Sequence, residues 1–256
     1  MNEPPRFDVM LARLLNVLGL EPAAVAHLAG ISESHLRTVL DGDAAPCGEL
    51  LRQLAPVLGL NASDMFAIAD MPVPEDLAPL EPLGTTDVDG VLYYTADIPS
   101  DARNQVLAAA RAMPRAPRRA QEPRQAAYQR PPGPGAVLVR LLANRNLRYS
   151  KAAKALYHLT LGQVYLSGST IPYLAGVASD KLPPDFVVGC AGVVNQPIPV
   201  MAALAGIALP EPPPPLHPDA QVLAELIWEC RRLTRDQVAE LSASARVMYD
   251  RKPNTA

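Results

Sequence analysis

The chain has 256 residues, a formal net charge of −3, 28 prolines and only 5% aromatic residues. This length accommodates about two domains of ordinary size, and abundant alanine and leucine with few alternating β-branched residues excludes an extensive sheet and predicts helices. Three cysteines far apart in the sequence exclude a disulfide framework and a closed zinc site with CxxC spacing. Since no phosphate-binding loop, zinc-protease motif or nucleophile elbow occurs, we expect no enzyme, no cofactor and no metal.

Charge is distributed unevenly along the chain. Residues 1–101 contain 4 basic and 16 acidic residues, residues 102–160 contain 12 basic and 1 acidic residue, and residues 161–256 contain 7 basic and 9 acidic residues. An acidic first part followed by a basic middle gives the two parts opposite electrostatic potentials. We therefore expect the acidic part to dock on the basic part.

Neither a secretory signal nor a membrane span is expected. The chain begins without a basic segment that leads into an apolar run. The uncharged stretch 186–210 is long enough to cross a bilayer, but Asn195 and Pro197 interrupt it midway and indicate two short buried helices with a turn between them. These features and the cysteine usage favour a cytoplasmic protein.

Five helices are predicted for the first unit, residues 1–70. The first helix has leucines three or four positions apart on one face and ends at Gly19. Pro22 suits the first turn of the second helix, because its missing N–H would have no partner there. Ser32 is expected to cap the third helix, with His35 at the third helical position. Two further helices follow.

Five further segments follow the first unit. Residues 71–113 are predicted to form a bridge and a helical tail, and residues 114–135 a linker rich in proline and arginine. Residues 136–209 repeat the helical plan of the first unit. A proline-rich linker, residues 210–218, separates this second unit from a C-terminal helical tail, residues 219–256.

The second unit and its tail repeat the apolar and serine pattern of the first at a shift of 135 positions. The first helices align at a shift of 127 instead, because the segment around the second helix is about eight residues longer in the second copy. The chain is therefore interpreted as an internal duplication. The matched pairs are Ile31/Leu166, Ser32/Ser167, Ser34/Ser169, Leu36/Ile171 and Val39/Leu174 in the units, and Ile98/Leu233, Asp101/Asp236, Val106/Leu241, Arg111/Arg246 and Met113/Met248 in the tails.

A characteristic spacing of apolar and small residues is shared by both units. In the first unit it comprises Leu20, Val25, Ala26, Gly30, Ile31, Ser32, Leu36, Val39, Gly42, Pro46, Leu51, Leu54, Ala55, Leu58 and Gly59, and in the second Leu141, Ala155, Ser167, Ser169, Ile171, Leu174, Pro183, Ala191, Val194 and Leu204. This pattern resembles the five-helix Cro/repressor (Xre-type) helix-turn-helix domain of bacterial and phage regulators, and the chain as a whole resembles tandem-domain actinobacterial members. The resemblance covers residues 8–70 closely and 138–206 more loosely. It implies an all-α fold of two five-helix, lambda-repressor-like helix-turn-helix units, each followed by a helical tail and joined by the Pro/Arg-rich linker.

The resemblance also implies a site. In that family the third helix enters the DNA major groove, and the start of the second helix meets phosphates. Carried over by position, the DNA-binding candidates of the first unit are Ser32, Glu33, Ser34, His35, Arg37 and Thr38. In the second unit the base-reading candidates are Ser167, Gly168, Ser169, Thr170 and Tyr173, and the phosphate candidates are Arg145, Arg148, Tyr149, Lys151 and Lys154.

Each unit departs from the family pattern at its third helix. Glu33 places a carboxylate where DNA is expected, which is unfavourable unless it accepts a hydrogen bond from a cytosine amine. Pro172 falls inside a third helix expected over Ser167–Val177, where a proline removes a hydrogen bond at a cost of about 3 kcal/mol. Alternatively this helix begins late, with Thr170 or Ile171 as its cap and the proline in its first turn.

Two functions are compatible with these features. One is a DNA-binding transcription regulator, cytoplasmic and nucleoid-associated, that binds double-stranded DNA with affinity mainly from the basic second half. The other is a helix-turn-helix fold that binds a protein partner through the acidic first unit and in which DNA binding is absent or secondary. A homodimer is compatible with both. If the acidic part competes with nucleic acid for the basic part, removal of residues 1–101 should raise DNA affinity.

Overall fold

The computed structural model describes residues 5–81, 84–117 and 133–251. Within these ranges the chain forms fourteen α-helices, two short 3-10 turns and no strand, which confirms the all-α class predicted from the sequence. Most of the linker predicted for residues 114–135 lies outside the described residues. The helices are α1 Phe7–Leu18, α2 Pro22–Ala29, α3 Glu33–Leu40, α4 Gly48–Val57, α5 Ala62–Ile68, α6 Val88–Thr95, α7 Ser100–Ala112, α8 Ala136–Asn144, α9 Ser150–Leu159, α10 Thr170–Leu174, α11 Pro184–Val194, α12 Ile198–Ala205, α13 Ala220–Cys230 and α14 Arg235–Asp250.

The ends of the first helices follow from the local sequence. Gly19 and Gly30 end α1 and α2 with φ angles of 64° and 67°, a left-handed conformation that glycine adopts without strain. Pro22 occupies the first turn of α2, as predicted. The predicted cap of α3 is also confirmed, because Ser32 Oγ accepts a hydrogen bond from the His35 N–H at 3.2 Å.

The prediction for the third helix of the second unit needs correction. α10 spans only Thr170–Leu174 instead of the expected Ser167–Val177. Pro172 lies at its third position, where a backbone N–H has no intrahelical partner, so a late start accommodates the proline. Ser169 occupies the capping position, one residue before Thr170 and two before Ile171, the two caps expected for a late start. Of the two alternatives, the late start is therefore correct.

The uncharged stretch 186–210 contains two buried helices, as predicted. α11 and α12 are separated by residues 195–197, and Asn195 ends α11 in the left-handed conformation. Among the described residues, no single helix combines the length and hydrophobicity needed to cross a membrane. Only α1 and α2 together, which meet at 98°, reach that length and composition as a bent pair.

The halves of the chain contact each other reciprocally. We call the described residues up to 117 the first half and residues 133–251 the second half. α1 packs on α12 while α8 packs on α5, and α6 packs on α14 while α7 packs on α13. Because α8, α12, α13 and α14 correspond in the predicted repeat to α1, α5, α6 and α7, each of these four contacts has a counterpart with exchanged roles. The packing of α6 on α9 is an exception, since no contact of similar extent joins α13 to α2 in the described residues. The exchange of roles in these four contacts resembles the pattern between the subunits of a two-fold dimer.

Individual residues show the same relation. Arg140 on α8 forms an ion pair with Asp70, at 3.1 Å. In the other contact, Arg13 on α1 corresponds to Arg140 and Gly206 corresponds to Asp70. The guanidinium of Arg13 lies so close to Gly206 that a Cβ at Gly206 would collide with it. Asp70 and Gly206 follow α5 and α12 with left-handed φ angles of 56° and 66°. An arginine of α1 or α8 therefore lies close to the residue that follows α12 or α5 in each of the two contacts. Buried apolar side chains from all fourteen helices form one continuous core.

Candidate nucleic-acid interface

α3 presents to solvent all the residues predicted as DNA contacts in the first unit. Leu36 and Val39 on its opposite face are 0% and 1% exposed, and α3 packs on α1 and α2. A polar helix face fixed from behind by buried side chains is the geometry that a groove-reading helix needs. The exposed side chains are Ser32, Glu33, Ser34, His35, Arg37 and Thr38.

Glu33, the residue that the sequence marked as unfavourable for DNA, has a partner on α3 itself. Arg37 donates to Glu33 Oε1 through Nη2 at 2.5 Å and through Nε at 2.9 Å, and both side chains are exposed. Thr38 Oγ1 donates to the backbone oxygen of Ser34 at 2.8 Å. The face of α3 therefore has a local charge balance, with hydroxyl groups and the imidazole of His35 beside the ion pair.

The second unit presents a different surface. Ser167 Oγ lies 2.8 Å from the hydroxyl oxygens of both Ser169 and Thr170, so these hydroxyl groups are hydrogen-bonded to one another. Tyr173 on α10 is 38% exposed. Gly168 lies so close to the start of α9 that a Cβ would be 2.7 Å from the backbone nitrogen of Ser150. Gly168 therefore permits close packing of two segments, and the four neighbouring candidates form the accessible part of this surface.

We expect Gly168→Ala to lower the free energy of unfolding by about 1–3 kcal/mol, because the new methyl group would collide with backbone atoms that cannot rotate away. Chemical denaturation measures the difference. Gly48→Ala is the matched control, since its Cβ would meet only the ring of Phe66 at 3.3 Å. An equal loss in the two variants would show that close approach at Gly168 is unimportant.

Arg145 lies inside the molecule, so its prediction as a phosphate contact must be corrected. Its side chain is 1% exposed and forms a bidentate ion pair with Asp64 of α5, with Nη2 donating to Oδ2 at 2.9 Å and Nη1 donating to Oδ1. Nη2 also donates to the backbone oxygen of Val194 at 3.0 Å. Burial opposes the ionisation of Asp64, but Arg145 and hydrogen bonds from Asn61 and Asn144 hold its pKa below the usual value.

The buried ion pair belongs to a larger polar network that reaches the C-terminal tail. Asn144 Nδ2 donates to Asp64 Oδ1 at 2.6 Å. Arg231, after α13, donates through Nη2 to Asn144 Oδ1 at 2.7 Å and to the backbone oxygen of Leu77 at 2.8 Å. The Trp228 ring lies 4.1 Å from the guanidinium carbon of Arg231 and 5.1 Å from that of Arg145. Side chains from both halves thus satisfy one another in the interior.

The remaining phosphate candidates flank the start of α9. Lys154 Nζ and Lys151 Nζ lie 2.8 and 3.2 Å from the carboxylate of Asp89 on α6. Burial opposes the ionisation of Asp89, but these two lysines lower its pKa below the usual value. Arg148 lies 4.3 Å from the ring of Tyr149 and donates to its hydroxyl at 2.5 Å. Both lysines therefore share one carboxylate of the first half, which offsets one of their two positive charges.

The docking of the acidic part on the basic part is confirmed. Asp64, Asp70 and Asp89 of the first half pair with four cations from α8, α9 and the residue after α8: Arg145, Arg140, Lys151 and Lys154. Sequence reasoning did not identify these carboxylates as partners, because the pairing depends on the reciprocal packing of the halves. The opposite charge of the two segments was the only signal in the sequence.

An aromatic cluster lies where α6, α9 and α14 meet. The ring centroid of Tyr93 is 6.0 Å from that of His158 and 5.9 Å from that of Tyr249, and the centroid of Tyr157 is 5.5 Å from that of His158 and 6.1 Å from that of Tyr165. Tyr93, Tyr157 and Tyr165 are 52%, 42% and 86% exposed. Sequence reasoning missed this cluster because its members are far apart in the chain. Clustered exposed aromatic side chains are typical of protein-binding surfaces.

His217 connects the second proline-rich segment to the turn after α6. The Asp219 N–H donates to His217 Nδ1 at 3.0 Å, and Nε2 lies 3.0 Å from the backbone oxygen of Ala96, so a neutral ring protonated on Nε2 satisfies both contacts. Burial and the charge of Arg103 lower the pKa of His217, although the bond to Ala96 acts in the opposite direction. Burial and Lys154 likewise lower the pKa of His158.

These two histidines are expected to make stability depend on pH. Below the ordinary histidine pKa of about 6.5, the unfolded chain binds protons that the folded chain does not. The contribution is therefore fully present above about pH 6.5 and is lost as the pH falls toward the lower pKa of the folded state. Thermal unfolding between about pH 7.5 and 5 measures this change, since carboxylates titrate lower. His158→Gln/His217→Gln should flatten the profile, and a wild-type melting temperature that rises toward pH 5 would contradict this account.

Within the described residues, no three histidine, cysteine, aspartate or glutamate side chains are grouped so that they could hold a metal ion. Cys190 and Cys230 are buried thiols, and Cys47 is exposed. Burial raises the pKa of Cys230 to about 12. Both buried thiols therefore act as small apolar side chains of the core.

Comparisons with known proteins do not assign the chain to a family. No family model matches it, and neither the curated proteins nor the solved structures contain a match. The functional interpretation therefore rests on the geometry and chemistry of this chain.

Proposed function

We propose that this chain is a DNA-binding transcription regulator of the Cro/repressor type, associated with the nucleoid, that reads base pairs with α3. The observation that carries the proposal is the α3 face, a capped helix with every polar candidate exposed and its apolar side buried on α1 and α2. In this proposal α2 and α3 form the helix-turn-helix pair of the first unit. Ser34, His35 and Thr38 contact base edges, and the Glu33–Arg37 pair contacts a flanking position.

The reciprocal packing of the halves supports a two-unit reader. Helix-turn-helix proteins commonly bind as two-fold dimers whose symmetry matches paired half-sites. Here α1–α5 and α8–α12 would supply both units in one chain, in the arrangement that a dimer has between two chains. Because α10 has five residues and begins after hydroxyl groups that bond to one another, we assign base reading to α3 and backbone contact to the second unit.

The ion pairs between the halves set the expected strength of DNA binding. Phosphate contacts from arginine and lysine supply most of the non-specific affinity of such proteins. Arg140, Arg145, Lys151 and Lys154 all pair with carboxylates of the first half. We therefore expect weak non-specific binding and a larger share of affinity from base contacts than the basic charge of residues 102–160 alone would suggest.

Asp89→Asn is expected to raise DNA affinity about three- to tenfold at low salt and to steepen its salt dependence, because a carboxylate would no longer offset the positive charge of Lys151 and Lys154. Fluorescence anisotropy with a labelled duplex measures both effects. Asp76→Asn is the control, since it changes the net charge equally but affects Arg52 on α4. Equal gains in both variants would indicate a general charge effect and contradict the role of Asp89.

Selection of DNA by the tagged full-length chain tests the function itself. We expect repeated capture from a random duplex pool to enrich one sequence motif, and Ser34→Ala/His35→Ala/Thr38→Ala to lose that enrichment while keeping its fold. Absence of any enriched motif at low salt would contradict the proposal.

Binding of a protein partner is the second candidate function, and the exposed aromatic cluster favours it. Tyr93, Tyr157 and Tyr165 offer an exposed aromatic surface. A stoichiometric complex with one partner that Tyr157→Ser/Tyr165→Ser abolishes and that added DNA leaves unchanged would select this function. A complex unaffected by these substitutions would contradict the role of the cluster.

A further inference from the structure

The contact between the halves has the form of a self-complementary interface. In an ordinary two-fold dimer, the same surface of both subunits meets itself with exchanged roles. Here the pairs α1·α12 and α8·α5, and the pairs α6·α14 and α7·α13, follow this rule with the repeated helices of one chain. By helix arrangement alone, a first half could therefore pair with another first half, and a second half with another second half.

Two features break this equivalence: the contact of α6 with α9, where Asp89 pairs with Lys151 and Lys154, and one pair of buried positions. In the α5·α8 contact, Asp64 and Arg145 are 0% and 1% exposed and form the bidentate ion pair. The repeat places Leu18 opposite Val200 in the corresponding α1·α12 contact, because α1 aligns with α8 at a shift of 127 and α5 with α12 at a shift of 136. The latter shift follows from the matching left-handed residues Asp70 and Gly206. The ion pair of one contact therefore corresponds to two apolar residues in the other.

This difference makes it unfavourable for two first halves, or two second halves, to pair with each other; we call these like pairs. Two first halves would each bring a buried Asp64 against Leu18, and two second halves would each bring a buried Arg145 against Val200. A buried charge without a partner is strongly unfavourable, whereas a first half and a second half pair charge with charge and apolar group with apolar group. We infer that Asp64 and Arg145 form the recognition pair that makes a first half bind a second half, in its own chain or in a second copy. The same pair disfavours binding between two first halves or between two second halves.

The surroundings of the ion pair fit this role. Asn144 Nδ2 donates to Asp64 Oδ1 at 2.6 Å and to Ser63 Oγ at 3.0 Å, and Arg231 Nη2 donates to Asn144 Oδ1 at 2.7 Å. Polar groups that are satisfied only by one partner are a known means by which interfaces reject others. The ion pair therefore acts with several neighbours that also span both halves.

The test uses the full chain with a protease site inserted between residues 117 and 133. After cleavage, both halves are unfolded and refolded together. Native mass spectrometry then measures the amounts of the three possible pairs: two first halves, two second halves, and the mixed pair of one first and one second half. The wild-type halves should form only the mixed pair. In Asp64→Val/Arg145→Leu, which copies the apolar residues of the other contact, pairs of two first halves and of two second halves should appear and the share of the mixed pair should fall. The ion pairs of Asp89 with Lys151 and Lys154 remain, so the mixed pair should stay the most abundant.

The control and a second variant complete the experiment. Asp70→Asn removes an ion pair whose carboxylate is 62% exposed, and it should keep the wild-type distribution. Arg145→Leu alone should add pairs of second halves, which keeps the test decisive if the double variant does not refold. Like pairs among the wild-type halves, or their absence from both variants, would overturn the inference.

Discussion

Arg145→Leu should lower the free energy of unfolding by about 3–5 kcal/mol, because it leaves a buried carboxylate without its partner. Asp64 is 0% exposed, and the guanidinium of Arg145 supplies two of its hydrogen bonds. The substitution also removes the hydrogen bond to the backbone oxygen of Val194 and the packing against the Trp228 ring. Chemical denaturation monitored by circular dichroism measures the loss.

The double variant separates the charge from the packing. Asp64→Val/Arg145→Leu should recover much of the stability, since replacing a buried ion pair with apolar side chains is often neutral or stabilising. Asp70→Asn should change stability by less than about 1 kcal/mol, as expected for an exposed pair. A double variant that is no more stable than Arg145→Leu would contradict the claim that the unpaired carboxylate causes the loss.

A second half on its own should not fold. Residues 133–256 contain α8–α14, but α8, α9, α12, α13 and α14 each pack on helices of the first half. Without that half, the apolar faces of five helices and the charge of Arg145 would meet water, and the hydrophobic contribution of the interface would disappear. We expect this fragment to show no cooperative thermal transition and to bind a hydrophobic dye, as loosely packed states do.

The same reasoning changes what deletion of residues 1–101 should do. The sequence predicts higher DNA affinity for the truncated chain, but the deletion removes α1–α6 and thereby exposes the core of the second half. Loss of folding is the expected result of this deletion. Asp89→Asn is therefore the more informative variant, because it removes the carboxylate partner of Lys151 and Lys154 without removing any helix. A cooperative thermal transition in residues 133–256 alone would show that the halves are independent domains. It would contradict a core that depends on both halves.

The sequence predicts the helices better than it predicts their partners. Ser32, Pro22 and Gly19 act through neighbours in the chain, so their effects on helix ends can be predicted from local rules. The burial of Arg145 depends on Asp64, which lies 81 positions away and on another repeat. No local rule gives that distance, and the prediction of Arg145 as a surface cation was incorrect for this reason.

The same limit explains the mixed result for the candidate site. The exposed face of α3 follows from helical periodicity, because Leu36 and Val39 mark the buried side. The late start of α10 was one of the two alternatives that Pro172 left open, whereas the close approach of Gly168 to the start of α9 could not be predicted, because it joins segments that are not neighbours in the chain. The duplication indicated similar units, and the structure shows that one repeat carries a longer third helix than the other.

The central claim is that α3 reads DNA within a chain that supplies both units of a two-fold reader. Its most direct test is an anisotropy titration of the enriched duplex with the wild-type chain and with Ser34→Ala/His35→Ala/Thr38→Ala. We predict salt-sensitive binding by the wild type and an affinity at least about tenfold lower for the variant, since removal of each base contact typically costs about 1–3 kcal/mol. Equal affinity of both proteins, or no binding by the wild type at low salt, would contradict the claim.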